Sequence, residues 1–210
     1  MKPIALFISY LFHPLLISTY SCIILFFGLT DSIFCVFTPL RTKLIISLTV
    51  FSFTFLLPVL NLLILYKLNV VSSLFVEKRS ERTFPLITTS LCYFGLFYML
   101  SDFNIWPAVK LFVLGGGLCI LMAALINLRW QISTHMMGIG GLIGALLAIC
   151  FFMQLPILTA ICICFIVAGA IGFARLAIQA HTPSQVYIGF FVGCFIHLTL
   201  FYLAQMMILV

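Results

Sequence analysis

Acidic residues are nearly missing from this chain. There are four in 210 residues, Asp31, Glu77, Glu81 and Asp102, against ten lysines and arginines, and charged residues of both signs make up only 7%. A soluble domain carries about a quarter charged residues, so this chain lacks the charge to cover a water-facing surface. That excludes a soluble enzyme, a disordered tail and a secreted disulfide scaffold. With so few carboxylates, no cluster is available to hold magnesium or calcium. Metal-type cysteine spacing is missing too. Apart from Cys35, the eight cysteines lie in apolar runs without a C-x-x-C pair, and Cys162 and Cys164 point to different helix faces. They read as small apolar fillers. Low-complexity tracts and internal repeats are absent.

What is present is hydrophobic residue, 65% of the chain. A helix needs about 20 apolar residues to cross a bilayer core. On that criterion the spans fall near 3–29, 43–67, 85–100, 108–128, 136–155, 156–178 and 185–208. The expected fold is all-α, a polytopic membrane helical bundle with 6–7 transmembrane helices; a membrane barrel would show short alternating strands instead. Run 3–29 is too long for a signal-peptide core and lacks a small-residue cleavage site, so it reads as a retained span. Run 85–100 is short, either a span or a re-entrant partner of the next. The expected location is the cell (inner) membrane. The formal charge of +6 would ordinarily suggest a polyanionic partner. Here the bases are scattered through an apolar chain, so the expected partners are membrane lipids and not nucleic acid.

Counting crossings assigns the loops to two faces. The N-terminus and loops 77–82, 129–135 and 179–184 share one; loops 30–42 and 101–107, the turn at 155–156 and the C-terminus share the other. The first face gathers Lys78, Arg79, Arg82, Arg129, Ser133, His135, Arg175, His181 and Gln185. Taken singly, these have ordinary readings. Lys78 to Arg82 would meet anionic headgroups, Arg129 and Arg175 would snorkel from helix ends, and a lone histidine is a hydrogen-bonded structural residue. His13 and His197, each inside a span, keep that last reading. Gly140/Gly144 and Gly189/Gly193 have the small-xxx-small spacing that lets helices approach closely.

Joint spacing says more. Arg175, five residues, His181, three residues and Gln185 are followed by Gly189 and Gly193 on the same helix face as Gln185. Two spans earlier stands Ile132-Ser133-Thr134-His135, and before that Lys78, Arg79 and Arg82 precede Pro85. This order resembles the type-2 phosphatidic acid phosphatase family, membrane relatives of the vanadium haloperoxidases, whose signatures are K-x6-R-P, P-S-G-H and S-R-x5-H-x3-D. The third is matched at Arg175 and His181, the second at Ser133 and His135, and the first only loosely. Ala174 stands where the family has serine, and Gln185 where it has aspartate. The resemblance covers roughly residues 75–205. It divides the chain into an N-terminal pair of spans, 1–70, and a phosphatase-like membrane core, 71–210, within one integral domain.

The resemblance implies phosphoryl transfer from a lipid phosphate monoester or diphosphate through a phosphohistidine, with no cofactor and no metal. Catalysis would fall to His181 as nucleophile, His135 as proton donor to the leaving oxygen, and Gln185 as the group that orients His181. Lys78, Arg79, Arg82, Ser133 and Arg175 would bind the phosphate oxygens. A glutamine carbonyl can hold an imidazole in place but cannot offset charge developing on it. Two alternatives therefore stand beside an enzyme. One is an impaired relative that binds lipid phosphate headgroups; the other is a non-enzymatic structural or transport protein.

Overall fold

The computed structural model describes residues 2–29, 33–76 and 78–209, so Asp31 and Glu77 lie outside the described residues. Helices α1 (Lys2–Leu11) and α2 (Pro14–Ile23) come first, followed by a π-helical turn at Ile24–Gly28 and the short α3 (Ile33–Phe37). Next, α4 (Leu40–Phe51), a second π-helical turn and α5 (Leu57–Lys67) run on as one rod. The remainder is α6 (Arg79–Ser101), α7 (Pro107–Asn127), α8 (Thr134–Met153), α9 (Leu158–Ala177) and α10 (Pro183–Leu209). The described residues contain no strand. The chain is an all-α polytopic bundle. Among the described residues six helices are long and apolar enough to cross a membrane, and the bent pair Lys2–Leu11 and Pro14–Gly28 makes a seventh if it counts as one span.

One run is bent, and one expected boundary needs correction. The first run is not one rod, because α1 and the segment after it meet at 56°. Pro14 is the cause. Its ring disfavours the helical region for the residue before it, and His13 is extended there at ψ 135°. The His13 imidazole then accepts from the Leu15 N–H at 3.4 Å and caps α2. The correction concerns the short third run. Helix α6 is 23 residues long, and the polar stretch from Arg79 onward forms its opening turns instead of a loop. Glu81 lies in the first turn, where a carboxylate suits the positive end of the helix. It also accepts from the Ser72 N–H at 2.7 Å and the Ser72 hydroxyl at 2.9 Å, tying the preceding loop to the helix start. Pro85 sits within the helix, and Thr89 bonds back to its carbonyl at 2.7 Å.

Helix α8 is the centre of the bundle, packed by α10, α9, α7 and α2. It is apolar on all sides, as a wholly surrounded helix must be. Its contact with α10 is backbone on backbone. A Cβ on Gly140 would meet the Phe190 carbonyl, one on Gly144 the Cys194 carbonyl, and one on Gly193 the Met137 carbonyl. The same pair of helices closes at Gly189, where a Cβ would come within 2.7 Å of the Ser133 carbonyl oxygen. His197 fills the layer below. It contacts the Gly193 carbonyl at 3.2 Å and the Phe112 carbonyl at 3.4 Å, with Cys119 Sγ at 3.8 Å. Gly115 and Gly141 leave the room for its ring, which has a structural role.

Side chains added at this seam must push two helices apart. Gly193→Leu and Gly144→Val are expected to lower the thermal midpoint of detergent-purified protein, in line with an overpacking cost of about 1–3 kcal/mol each. Gly169, whose Cβ would meet open space, supplies the control. Equal loss from Gly169→Ala would show that the seam has no special tightness.

Candidate functional site

The start of α8, the start of α10 and the last turn of α9 come together at one end of the bundle. The Ser133 N–H donates to the Gln185 carbonyl at 3.3 Å, so the mouths of α8 and α10 are joined by main chain. Both helices turn their N-terminal ends to this point, where unpaired N–H groups and aligned peptide dipoles favour negative charge. The parity of crossings assigned these loops to one face.

His181 lies in the connection from α9 to α10 and is 8% exposed. Its Nδ1 is 3.1 Å from Gln185 Oε1, and the same oxygen accepts from the Thr182 N–H at 3.1 Å. A backbone N–H can only donate, so the atom facing it is the amide oxygen. Nδ1 must then carry the proton, and the lone pair is left on Nε2. Gln185 thus fixes the tautomer as a carboxylate would. Burial pushes the His181 pKa down to about 4, helped by the Arg175 charge; the Gln185 contact opposes this, Arg82 adds to it, and the Gln131 carbonyl opposes it. At neutral pH the ring is uncharged.

Arg175 stands in the last turn of α9, with its Nε buried and unpartnered among the described residues and one terminal nitrogen donating to Ser9 Oγ at 3.3 Å. Arg82, on α6, is close enough to Arg175 and His181 for its charge to be felt at both. Among the described residues the only ion pair is Lys78–Glu81 at 3.3 Å, and neither Arg82 nor Arg175 has a carboxylate partner among those residues. Ser133 is fully buried, and its hydroxyl has no hydrogen-bond partner among the described residues. Two guanidiniums and a hydroxyl without acidic or hydrogen-bond partners to offset them among the described residues, with two helix N-termini around a neutral imidazole, make a cluster suited to an anion.

The expected phosphate-binding bases separate. Arg82 joins the cluster. Lys78 is 65% exposed and paired to Glu81, and Arg79 donates to the Leu128 carbonyl at 3.1 Å. Asn127 closes that corner, donating to the Arg79 carbonyl at 2.8 Å and Thr83 Oγ1 at 3.0 Å. Lys78 and Arg79 therefore brace the loops around the site. His135 lies on the α1 side, its Nε2 3.2 Å from the Ser9 carbonyl and its ring 5.8 Å from that of His13.

Ser9 and His13 were not legible as site residues from the spacing of motifs. The one signal was local: Ser9 and His13 are four residues apart in an apolar run, and Pro14 breaks the helix there. No family model, curated protein or solved structure matches the chain.

The lowered His181 pKa has a consequence for stability. An unfolded chain takes up the proton near 6.5 and the folded site resists it until about 4. Stability is therefore full above 6.5 and falls as pH drops from there toward 4. Histidine nitrogen NMR of the detergent-solubilised protein is expected to show His181 neutral at pH 6, with the proton on Nδ1. A midpoint near 6.5, or the Nε2–H tautomer, would contradict the arrangement.

Proposed function

We propose that this chain is a membrane lipid phosphate phosphatase, hydrolysing a lipid phosphate monoester or diphosphate. The observation that carries the reading is a tautomer-fixed, neutral His181 beside two guanidiniums, Arg82 and Arg175, that have no acidic partner among the described residues. Half-buried cations without a nearby counter-charge are costly, and a phosphate group would supply an anion. The lipid tails would stay among the exposed apolar side chains while the headgroup reaches the cluster.

In this mechanism His181 Nε2 attacks phosphorus and the bond from phosphorus to the lipid oxygen breaks. The departing oxygen takes its proton from His135, which enters this step as the imidazolium and leaves it as the neutral ring. Arg82, Arg175 and the Ser133 hydroxyl hold the three equatorial oxygens as charge shifts onto them. Water, giving a proton back to His135, then attacks the phosphohistidine; inorganic phosphate leaves and His181 is restored. Arginine's planar fork suits this better than lysine's point charge, which accords with Lys78 lying outside the cluster.

A second reading has its own observation. Gln185 orients His181 but carries no charge, so it cannot offset positive charge on the ring of the intermediate. In a serine protease the analogous loss of a carboxylate costs about 10⁴ in rate. A chain that binds lipid phosphate headgroups and turns them over slowly, or not at all, fits that residue.

Phosphate release from a panel of lipid phosphates by purified protein separates the two. Hydrolysis is expected, with His181→Ala abolishing it and His135→Ala slowing it by about 10²–10⁴. Gln185→Asp is expected to raise the rate if the glutamine is a handicap. Binding of lipid phosphate without release would favour the second reading, and activity indifferent to both histidine substitutions would sink the mechanism.

A further inference from the structure

The N-terminal helix takes up both groups that would grip the phosphate ester. Ser9 accepts from Arg175 through its hydroxyl at 3.3 Å and lies against His135 Nε2 through its carbonyl at 3.2 Å. A carbonyl oxygen can only accept, so the His135 proton sits on Nε2 and is directed at Ser9. That proton is the one a leaving oxygen would need, and the Arg175 nitrogen is one an equatorial oxygen would need. With Ser9 in place, neither is free.

The helix that carries Ser9 is held chiefly against one neighbour, α9, with Ile8 resting on the core. Of its ten residues only Ala5 and Ser9 are buried, one turn apart on the stripe that faces α9. Ile4, Phe7 and Tyr10 are each more than half exposed on the other side, toward lipid. A break at Phe12–His13 separates α1 from α2, and the His13 cap on Leu15 anchors the far side of that break. A small docked stripe, a hinge and two polar contacts to a charged site are the parts of a door.

We propose that α1 is a lateral gate over the site, with Ser9 as its latch. In the closed state Ser9 occupies His135 Nε2 and one terminal nitrogen of Arg175, which stand beside it inside the bundle. A phosphate ester arriving from the bilayer takes over both contacts, and α1 swings at the Phe12–His13 hinge to admit it. Ser9 thus stands in for the substrate's oxygens, and its release is coupled to binding: the anion's apparent affinity is reduced by the fraction of time the latch is closed. The proposal rests on the anion-binding reading of the site.

The test uses inorganic phosphate as the probe and binding as the readout, so turnover is not required. Ser9→Ala removes the hydroxyl that competes for Arg175 and is expected to bind phosphate tighter by about tenfold; Ser9→Thr, which keeps the hydroxyl, is expected to match the parent protein. Hydrogen exchange on the unmodified protein gives an independent measure. Phosphate is expected to speed amide exchange in α1 while slowing it around His181–Gln185. Equal or weaker binding by Ser9→Ala, or protection of α1 by phosphate, would overturn the gate while leaving the anion site standing. Failure of both the parent and Ser9→Ala to bind phosphate would instead remove the underlying reading and the gate with it.

Discussion

The seam between α8 and α10 is the constraint on which everything else depends. Gly140, Gly144, Gly189 and Gly193 let two helices meet backbone to backbone, with no side chain between them at those levels. In a bilayer the apolar effect gives little reason for helices to associate, so close packing must supply it. This seam also sets a register. Once Gly189 lies against the Ser133 carbonyl, the Ser133 N–H reaches the Gln185 carbonyl, and the mouths of the two helices are aligned. Ser133 at the mouth of one helix then meets Gln185 at the mouth of the other, with His181 bonded to Gln185. A glycine pattern that looks like plain packing therefore also determines where the polar groups stand.

Charge balance is the second theme. The chain has few acids, and the two that the described residues include are occupied or remote. Glu81 is held by Ser72 and Lys78, and Asp102 lies at the opposite end of α6 beside Ser101. Arg82 and Arg175 repel each other, with no carboxylate between them among the described residues. In a low-dielectric setting that repulsion is stronger than in water. An anion between them would convert a liability into a binding site, and the neutral His181 beside them avoids adding a third positive charge. The glutamine at 185 completes the picture: it orients the ring while contributing no negative charge that would compete with an incoming anion. The same choice limits any chemistry that builds positive charge on that ring.

The N-terminal span adds a part that motif spacing did not contain. Its proline break creates a helix end deep in an apolar run, and helix ends have unpaired polar groups that need partners. His13 meets part of that need by capping α2, and Ser9, one turn earlier, presents its carbonyl and hydroxyl to His135 and Arg175. A segment outside the motif-bearing region thus contacts two of its polar groups, His135 and Arg175. The first span and the core are one structure in this respect, although the motif resemblance separates them at about residue 70.

Much of this was determined by the sequence alone. The length of apolar runs and the lack of charge decided a helical membrane bundle, because only hydrogen bonds within a helix satisfy a backbone in lipid. The alternation of those runs with polar loops decided that the stretches near residues 80, 132 and 181 share a face, since each crossing reverses direction. Periodicity also placed Gly189 and Gly193 on the Gln185 side of their helix. Tertiary structure decided the rest. It directed Arg82 inward while Lys78 found Glu81 and Arg79 found the Leu128 carbonyl, a division that three neighbouring bases on one stretch do not reveal. It extended α6 through a polar opening and Pro85, and it brought Ser9 and His13 across more than a hundred residues to His135. The physical reason is the same in each case. Parity and period constrain height and face, which are properties of single helices, whereas which side chains touch depends on rotations between helices, and those are set by packing that no local stretch encodes.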